Sequence, residues 1–228
     1  LNMERQYEKG AGDGVMTKFI FDLDGTITKE ETLPVIAKHF SMEEEIEKLT
    51  RQTVMGHVPF VESFIRRVFL LGKLPIDEID ALLEGVELHE PIVKFIRKNR
   101  AHCAIATGNL SCWVAKLVAR IGCEAYCSEG KIENNRVVEL MNIIKKETVV
   151  EKYRAAGHRV VFIGDGHNDV EAMRAADIAI ASGLTHEPAQ SVLSVADCLV
   201  RNEAELCSRL NQLLVNIVEP RKQDVLPK

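Results

Sequence analysis

What most limits the folds open to this chain is a recurrence of short apolar runs, each ending abruptly in polar or acidic residues. TKFIF (17–21) runs into DLDGT, HCAIAT (102–107) into GN, RVVFIG (159–164) into DGHND, and DIAIA (177–181) into SG. Runs this short, without apolar–polar alternation, read as strands buried on two faces, as in a parallel sheet. Between them, SCWVAKLVARIG, KETVVEKYRAAG and NDVEAMRAA place apolar residues at three- and four-residue steps. The first two end at Gly122 and Gly157, as helices closed by a glycine C-cap do. Strand and helix in alternation predict an α/β fold, a Rossmann-like parallel sheet covered on both faces.

One stretch breaks the alternation. From Thr28 to about Leu88 no strand pattern occurs, and helical segments are interrupted near Gly56, Pro59, Gly72 and Pro75. The expectation is a core domain of residues 16–27 and 89–228, with a small helical cap domain, 28–88, inserted after the first strand. Residues 1–15, polar and carrying Gly10, Gly12 and Gly14, read as a leader or an added remnant. In SEGKIENNRVVEL (128–140), the pair Asn134 and Asn135 between β-prone pieces predicts a hairpin.

Composition narrows the partners. A net charge of −5, with the basic residues scattered, leaves no basic face for nucleic acid. No apolar run approaches the ~20 residues that span a bilayer, and the N-terminus lacks a signal-peptide pattern. A membrane partner is therefore not expected, and the protein is read as cytoplasmic. The six cysteines, at 103, 112, 123, 127, 198 and 207, form no CxxC pair and read as buried thiols rather than a metal site. Trp113 reads as core and His167 as structural. Nothing in the sequence sets an oligomeric state.

In an open α/β sheet, ligands bind beyond the carboxyl ends of the strands. Asp22 and Asp24 follow the first run, Thr107 and Gly108 the second, and Asp165, Asn168 and Asp169 the third. Two carboxylates two residues apart, where Gly25 lets the chain turn, repel one another. With Asp165 added they make the oxygen-rich site that Mg²⁺ prefers. Once charge on the transferring oxygens is neutralised, a carboxylate can attack phosphorus. Lys145 or Lys146, opening a helical pattern, supplies a fixed positive charge. Thr107 offers a hydroxyl and, with Gly108, backbone N–H groups at a helix start.

Taken in order, DLDGT, IATGN, a lysine before a helix, and GDGHND resemble the four motifs of the haloacid dehalogenase superfamily of phosphohydrolases, over nearly everything from Thr17 to about Leu210. The resemblance implies that Asp22 is the nucleophile and Asp24 the general acid and base. Thr107 and Lys146, which aligns better than Lys145, would hold the phosphoryl group. Asp22, the backbone carbonyl of Asp24, and Asp165 would ligate Mg²⁺, with Asn168 and Asp169 supporting that shell. The presence of Asp24 speaks against the dehalogenase branch, which lacks a second motif aspartate.

The helical insertion resembles the cap of the phosphoserine phosphatase group. TKEETLPVIA places Glu31 where that group has a glutamate, and GHVPFVESFIRRVFLL aligns Phe60 and Arg67 with its cap pattern. By this resemblance Glu31 and Arg67, with Gly108 and Asn109, bind a small phosphorylated metabolite, O-phosphoserine foremost, through its ammonium and carboxylate. Gly25 stands where serine is common, Thr107-Gly108-Asn109 replaces Ser-Gly-Gly, and the segment between the second and third motifs is shorter. The last two departures keep open a phosphatase for another small metabolite, and the same intermediate would serve a phosphotransferase to an acceptor alcohol; a non-catalytic phosphate-binding module is the remaining alternative.

Overall fold

The computed structural model describes residues 16–54, 57–58 and 60–215; the expected leader lies outside the described residues. The chain begins with β1 (Thr17–Phe21), followed by α1 (Thr32–His39), α2 (Glu43–Val54), α3 (Phe60–Leu71), α4 (Ile76–Glu84) and α5 (Glu90–Lys98). Next come β2 (Cys103–Leu110), α6 (Ala115–Ile121), β3 (Glu124–Glu133), β4 (Arg136–Asn142), α7 (Lys146–Ala155), β5 (Arg159–Gly164) and α8 (Val170–Ala175). The described chain closes with β6 (Ile178–Ser182), α9 (Gln190–Leu193), β7 (Cys198–Val200) and α10 (Glu203–Val215).

Among the described residues the strands form one seven-stranded sheet in the order β4-β3-β2-β1-β5-β6-β7, parallel except for β4. Two-faced burial explains the unbroken apolar runs. Phe19 and Phe21 of β1 join one cluster with Ile92 and Ile96 of α5, Leu117 of α6 and Leu206 and Leu210 of α10. Ile20, between them, joins the opposite cluster with Val149 and Val150 of α7 and Met173 of α8. Alternate residues of each strand thus remove apolar surface from water on opposite faces. Trp113 is fully buried in the first cluster. Gly122 and Gly157 close their helices with φ of +91° and +86°, the left-handed conformation glycine adopts without a Cβ clash.

The segment between β1 and α5 contains α1–α4 and no strand among its described residues. Its two connections to the sheet run side by side. Thr28 and Leu88 form an antiparallel bridge, the Lys29 N–H donates to the Glu87 carbonyl at 2.9 Å, and the His89 N–H donates to the Ile27 carbonyl at 2.9 Å. Ile36, Val68, Leu71, Ile79 and Leu83 of these helices continue the first apolar cluster. The expected hairpin forms at β3–β4, with Asn134 and Asn135 at φ +49° and +61°. Its turn meets the α3–α4 connection, where the Val137 N–H donates to the Gly72 carbonyl at 3.0 Å and the Ile76 N–H to the Asn135 carbonyl at 2.9 Å.

The structure corrects three details. β3 begins earlier than the expected hairpin and first pairs parallel to β2, from Ala104↔Glu124 to Thr107↔Cys127. Of the six thiols only Cys103 is fully buried; the other five are partly exposed, and all six are free. The helix start expected at Thr107 and Gly108 is absent, because β2 continues to Leu110 and α6 begins only at Ala115. What loosens the backbone there is a bulge: the register with β3 jumps between Thr107↔Cys127 and Leu110↔Ser128, leaving Gly108 and Asn109 without opposite residues. No helix among the described residues is long and apolar enough to cross a membrane.

Candidate active site

The carboxyl ends of β1, β2 and β5 lie side by side, so the residues that follow them share one crevice. The Asp22 N–H donates to the carbonyl of Ile163 in β5 at 2.8 Å, fixing the start of the loop after β1. Asp22 is 5% exposed, and its two oxygens differ. Oδ1 accepts the Leu23 N–H and the Lys146 ammonium, both at 2.7 Å. Oδ2 has no hydrogen-bond partner among the described residues. Lys146, the first residue of α7, is buried and also donates to Asp169 Oδ1 at 2.6 Å, whereas Lys145 is exposed at the N-cap. Between the two lysines left open by the sequence, it is Lys146 that reaches the aspartates.

Asp165 and Asp169 complete the cluster. Asp169 is fully buried, and its Oδ2 accepts the backbone N–H groups of Asp165 at 3.0 Å and Gly166 at 2.9 Å. With Oδ1 on Lys146, its carboxylate is engaged on both sides. Asp165 accepts the Thr26 hydroxyl on Oδ1 at 2.9 Å. One carboxylate oxygen from each of Asp22, Asp165 and Asp169 lies within 4.8 Å of the others. Three buried carboxylates against one ammonium leave uncompensated negative charge, and the titration follows. Burial, then Asp169, raises Asp22 well above the carboxylate range and pushes Asp165 up to about 7. Burial works against the Lys146 ammonium, but Asp169 and Asp22 outweigh it and hold its pKa above the usual value.

Such a cluster of hard oxygens fits a small divalent cation. The carbonyl oxygen of Asp24 also accepts no hydrogen bond among the described residues and could contribute a further oxygen. Asn168 is exposed, makes no side-chain hydrogen bond among the described residues, and folds back over Gly166. Its expected support of the metal shell therefore has no contact behind it here.

Asp24 is partly buried. Its Oδ1 accepts the Thr32 N–H at 2.7 Å and its Oδ2 the Asn109 carboxamide at 2.6 Å. Burial, then the Glu31 charge, pushes its carboxyl up to about 6. Thr107 is fully buried, and its hydroxyl oxygen accepts the Asn109 N–H at 3.2 Å, which leaves the hydroxyl proton to donate elsewhere. Gly108 faces α3, with the Phe64 ring 3.9 Å from where a Cβ would stand. Asn109, expected among the substrate-binding residues, is 4% exposed with its carboxamide bonded to Asp24, Thr32 and Thr107. It has no side-chain group left to face a substrate, and its placement is corrected accordingly.

Glu31 occupies the N-cap position of α1 without capping it. Its carboxylate instead meets His186 Nε2 at 3.1 Å, and the same nitrogen lies 3.3 Å from Asp165 Oδ2. The hydrogen bond to Glu31, with Asp165 adding, pushes His186 up to about 9, so the imidazole is cationic at neutral pH. Gly25 makes room for it: at φ +69° a Cβ there would stand 2.9 Å from His186 Nε2 and 3.0 Å from Asp165 Oδ2. Arg67 is half-buried on α3; burial lowers its pKa and nearby Glu31 opposes that. Its Nε is buried without a partner among the described residues. The neighbouring Arg66 pairs with Glu62 on the exposed side of the helix. His167 is exposed and bonded to Ser191 at 2.9 Å.

Thr26, Thr32 and His186 were not among the residues singled out from the sequence. Thr26 stood within DLDGT, where its hydroxyl could have been noticed. His186 lies beyond the carboxyl end of β6, and the strand-end rule, applied to that fourth run as well, would have pointed to it.

A family model of haloacid dehalogenase-like hydrolases matches residues 17–177, more than half of the chain. The chain belongs to this family. As a haloacid dehalogenase-like hydrolase it resembles proteins named phosphoserine phosphatase. That of Methanocaldococcus jannaschii is 29% identical over 175 residues, 71% of this chain and 83% of the relative. That of Archaeoglobus fulgidus is 27% identical over 175 residues, 71% of this chain and 51% of the relative, and that of Saccharomyces cerevisiae 28% identical over 178 residues, 72% and 58%. The chain thus matches only about half the length of the latter two. Solved structures share the fold. A haloacid dehalogenase family hydrolase from Salmonella enterica serovar Typhi superposes with a TM-score of 0.74 at 23% identity, over 85% of this chain and 71% of that one. A phosphoserine phosphatase captured as a phospho-aspartyl intermediate analogue superposes at 0.71 and 24% identity, over 86% of this chain and 99% of that one.

Proposed function

We propose that this hydrolase cleaves a small phosphomonoester, O-phosphoserine or a similar amino-acid phosphate, through an aspartyl-phosphate on Asp22, with Mg²⁺ as cofactor and α1–α4 as a cap over the site. The observation that carries the reading is the asymmetry of Asp22: Lys146 holds Oδ1 while Oδ2 stays unbonded and available for attack. In the first half-reaction Oδ2 forms a bond to phosphorus as the ester P–O bond breaks. The electron pair leaves with the alcohol oxygen, which takes the proton of Asp24. In the second, water attacks phosphorus and gives its proton to Asp24, the bond to Asp22 breaks, and phosphate leaves. A carboxyl near pKa 6 suits a group that must donate and then accept a proton near neutrality.

The Thr107 hydroxyl proton, left over from its contacts with Asn109, is free to donate to a phosphoryl oxygen, and the Lys146 ammonium favours the ionised form of Asp22 against the burial and neighbouring carboxylates that raise its pKa. Asp22, Asp165 and the Asp24 carbonyl would hold Mg²⁺, with Asp169 fixed behind them. Bound there, the cation neutralises charge on the phosphoryl oxygens and on the carboxylates around them. The unpartnered Arg67 Nε and the exposed Glu31 carboxylate suit a substrate carboxylate and ammonium. The cytoplasm is the compartment this reading assigns, in keeping with six free thiols.

One contact favours a second reading. His186 already occupies the Glu31 carboxylate, where an ammonium would sit, which suits a phosphorylated acid lacking the amine. Phosphate release from O-phosphoserine, phosphoglycolate, sugar phosphates and p-nitrophenyl phosphate tests both readings, with Mg²⁺ and with chelator. The expected result is Mg²⁺-dependent selectivity for O-phosphoserine, abolished by Asp22→Asn and weakened at least about tenfold in kcat/KM by Arg67→Ala, as loss of a charge-assisted contact implies. Preference for phosphoglycolate would select the second reading. Activity surviving Asp22→Asn would refute the mechanism.

A further inference from the structure

The Asp24 carboxylate is held on both oxygens by groups from two different parts of the fold. Thr32, which binds Oδ1 through its backbone N–H at 2.7 Å, opens α1 on the side of the inserted helices. Asn109, which binds Oδ2 through Nδ2 at 2.6 Å, sits in the bulge of β2 and so belongs to the sheet.

The Asn109 carboxamide has little freedom to do anything else. It is 4% exposed, and Nδ2 also reaches the hydroxyl oxygens of Thr32 at 2.9 Å and Thr107 at 3.4 Å. The Thr32 hydroxyl in turn donates to Asn109 Oδ1 at 3.2 Å. With Asp24 ionised only one orientation of the amide works, because turning it over would press its carbonyl oxygen against a carboxylate oxygen, two acceptors with no proton between them. A buried amide that served packing alone would need no particular partner, whereas this one spends its shortest bond on the carboxyl that the proposed reaction needs twice.

We infer that Asn109 is a positioning residue for Asp24: its carboxamide anchors the acid and base to β2, at the strand end that also carries Thr107, whatever the placement of the helices that carry Thr32. The inference rests on Asp24 acting as the general acid proposed above. Asn109 touches no reacting atom. It acts by keeping the Asp24 proton directed at the oxygen that departs when Asp22 bonds to phosphorus.

The test uses leaving groups. A serine alkoxide must be protonated as it leaves, whereas p-nitrophenolate leaves with little help, so a fault in the acid falls mainly on the first. The kcat/KM of Asn109→Ala is measured on O-phosphoserine and on p-nitrophenyl phosphate, and the ratio of the two values is compared with that of the unsubstituted chain. That ratio does not depend on the folded fraction of the preparation. It should fall by about tenfold, part of the 10²–10⁴ that a positioned acid contributes. Asn109→Ser, which keeps a donor on a shorter side chain, should lower it less, and gives the reading if the alanine variant does not fold. An unchanged ratio in the folded variants overturns the inference. Asp24→Asn separates the two levels. If it shifts the ratio while the Asn109 variants do not, the positioning role alone fails; if it leaves the ratio unchanged, the acid role of Asp24 fails and the inference with it.

Discussion

Lys146 places one ammonium between Asp22 and Asp169, and at 4% exposure almost none of its charge is shared with water. Removing one partner of a buried ion pair costs about 3–5 kcal/mol, because the charge left behind has lost its solvation. Lys146→Met, similar in length but neutral, should shift the urea midpoint in chelator by a corresponding amount and abolish phosphate release. A midpoint unchanged within error would mean that solvent reaches these carboxylates. At this scale the sequence was legible wherever strand ends and acidic residues coincided, as at Asp22, Asp24 and Asp165. It was less so at Asn109 and His186, whose partners lie up to 155 positions away and announce themselves by no local pattern.

The turn between α3 and α4 rests on the tip of the β3–β4 hairpin, and at Gly72 the two backbones are hydrogen-bonded, the Val137 N–H donating to the Gly72 carbonyl. A Cβ at Gly72 would stand 2.8 Å from the Val68 carbonyl and 3.0 Å from the Val137 carbonyl, both main-chain atoms that cannot rotate away. Gly72→Ala should therefore destabilise the protein by about 1–3 kcal/mol in denaturant titration, the range of overpacked sites. Full stability would show that hairpin and helices can separate freely. The strands and helices of the core were legible because two-faced burial demands unbroken apolar runs and helices demand a different period. The parallel half of β3 was not, since EAYC, paired to β2 on one side and beyond the reach of β4 on the other, carries polar and apolar residues in the mixture of a partly covered segment. Three-residue β7 is too short to show a period at all.

Across the whole molecule, stability and acidity are linked through the buried carboxyls. Asp24 and Asp165 titrate near 6 and near 7 against an ordinary 3.8, so the folded chain binds their protons more tightly than the unfolded one. Their contribution to stability is then fullest below about pH 4 and is lost as pH rises toward 7. In chelator, Asp165→Asn should melt above the unsubstituted protein at pH 7, with the gap closing toward pH 4. Mg²⁺ should reverse the order, since a ligand at a hundred times its Kd adds about 2.7 kcal/mol to the form that binds it. Equal melting temperatures at both pH values would show that Asp165 is not destabilised by its surroundings. The bridge between Thr28 and Leu88 has a consequence of another kind. Because the inserted helices leave and rejoin the sheet at neighbouring points, they can be lengthened, shortened or exchanged during descent without moving a strand. Chemistry and substrate choice can then diverge at separate rates, provided a donor survives where Thr32 meets Asp24.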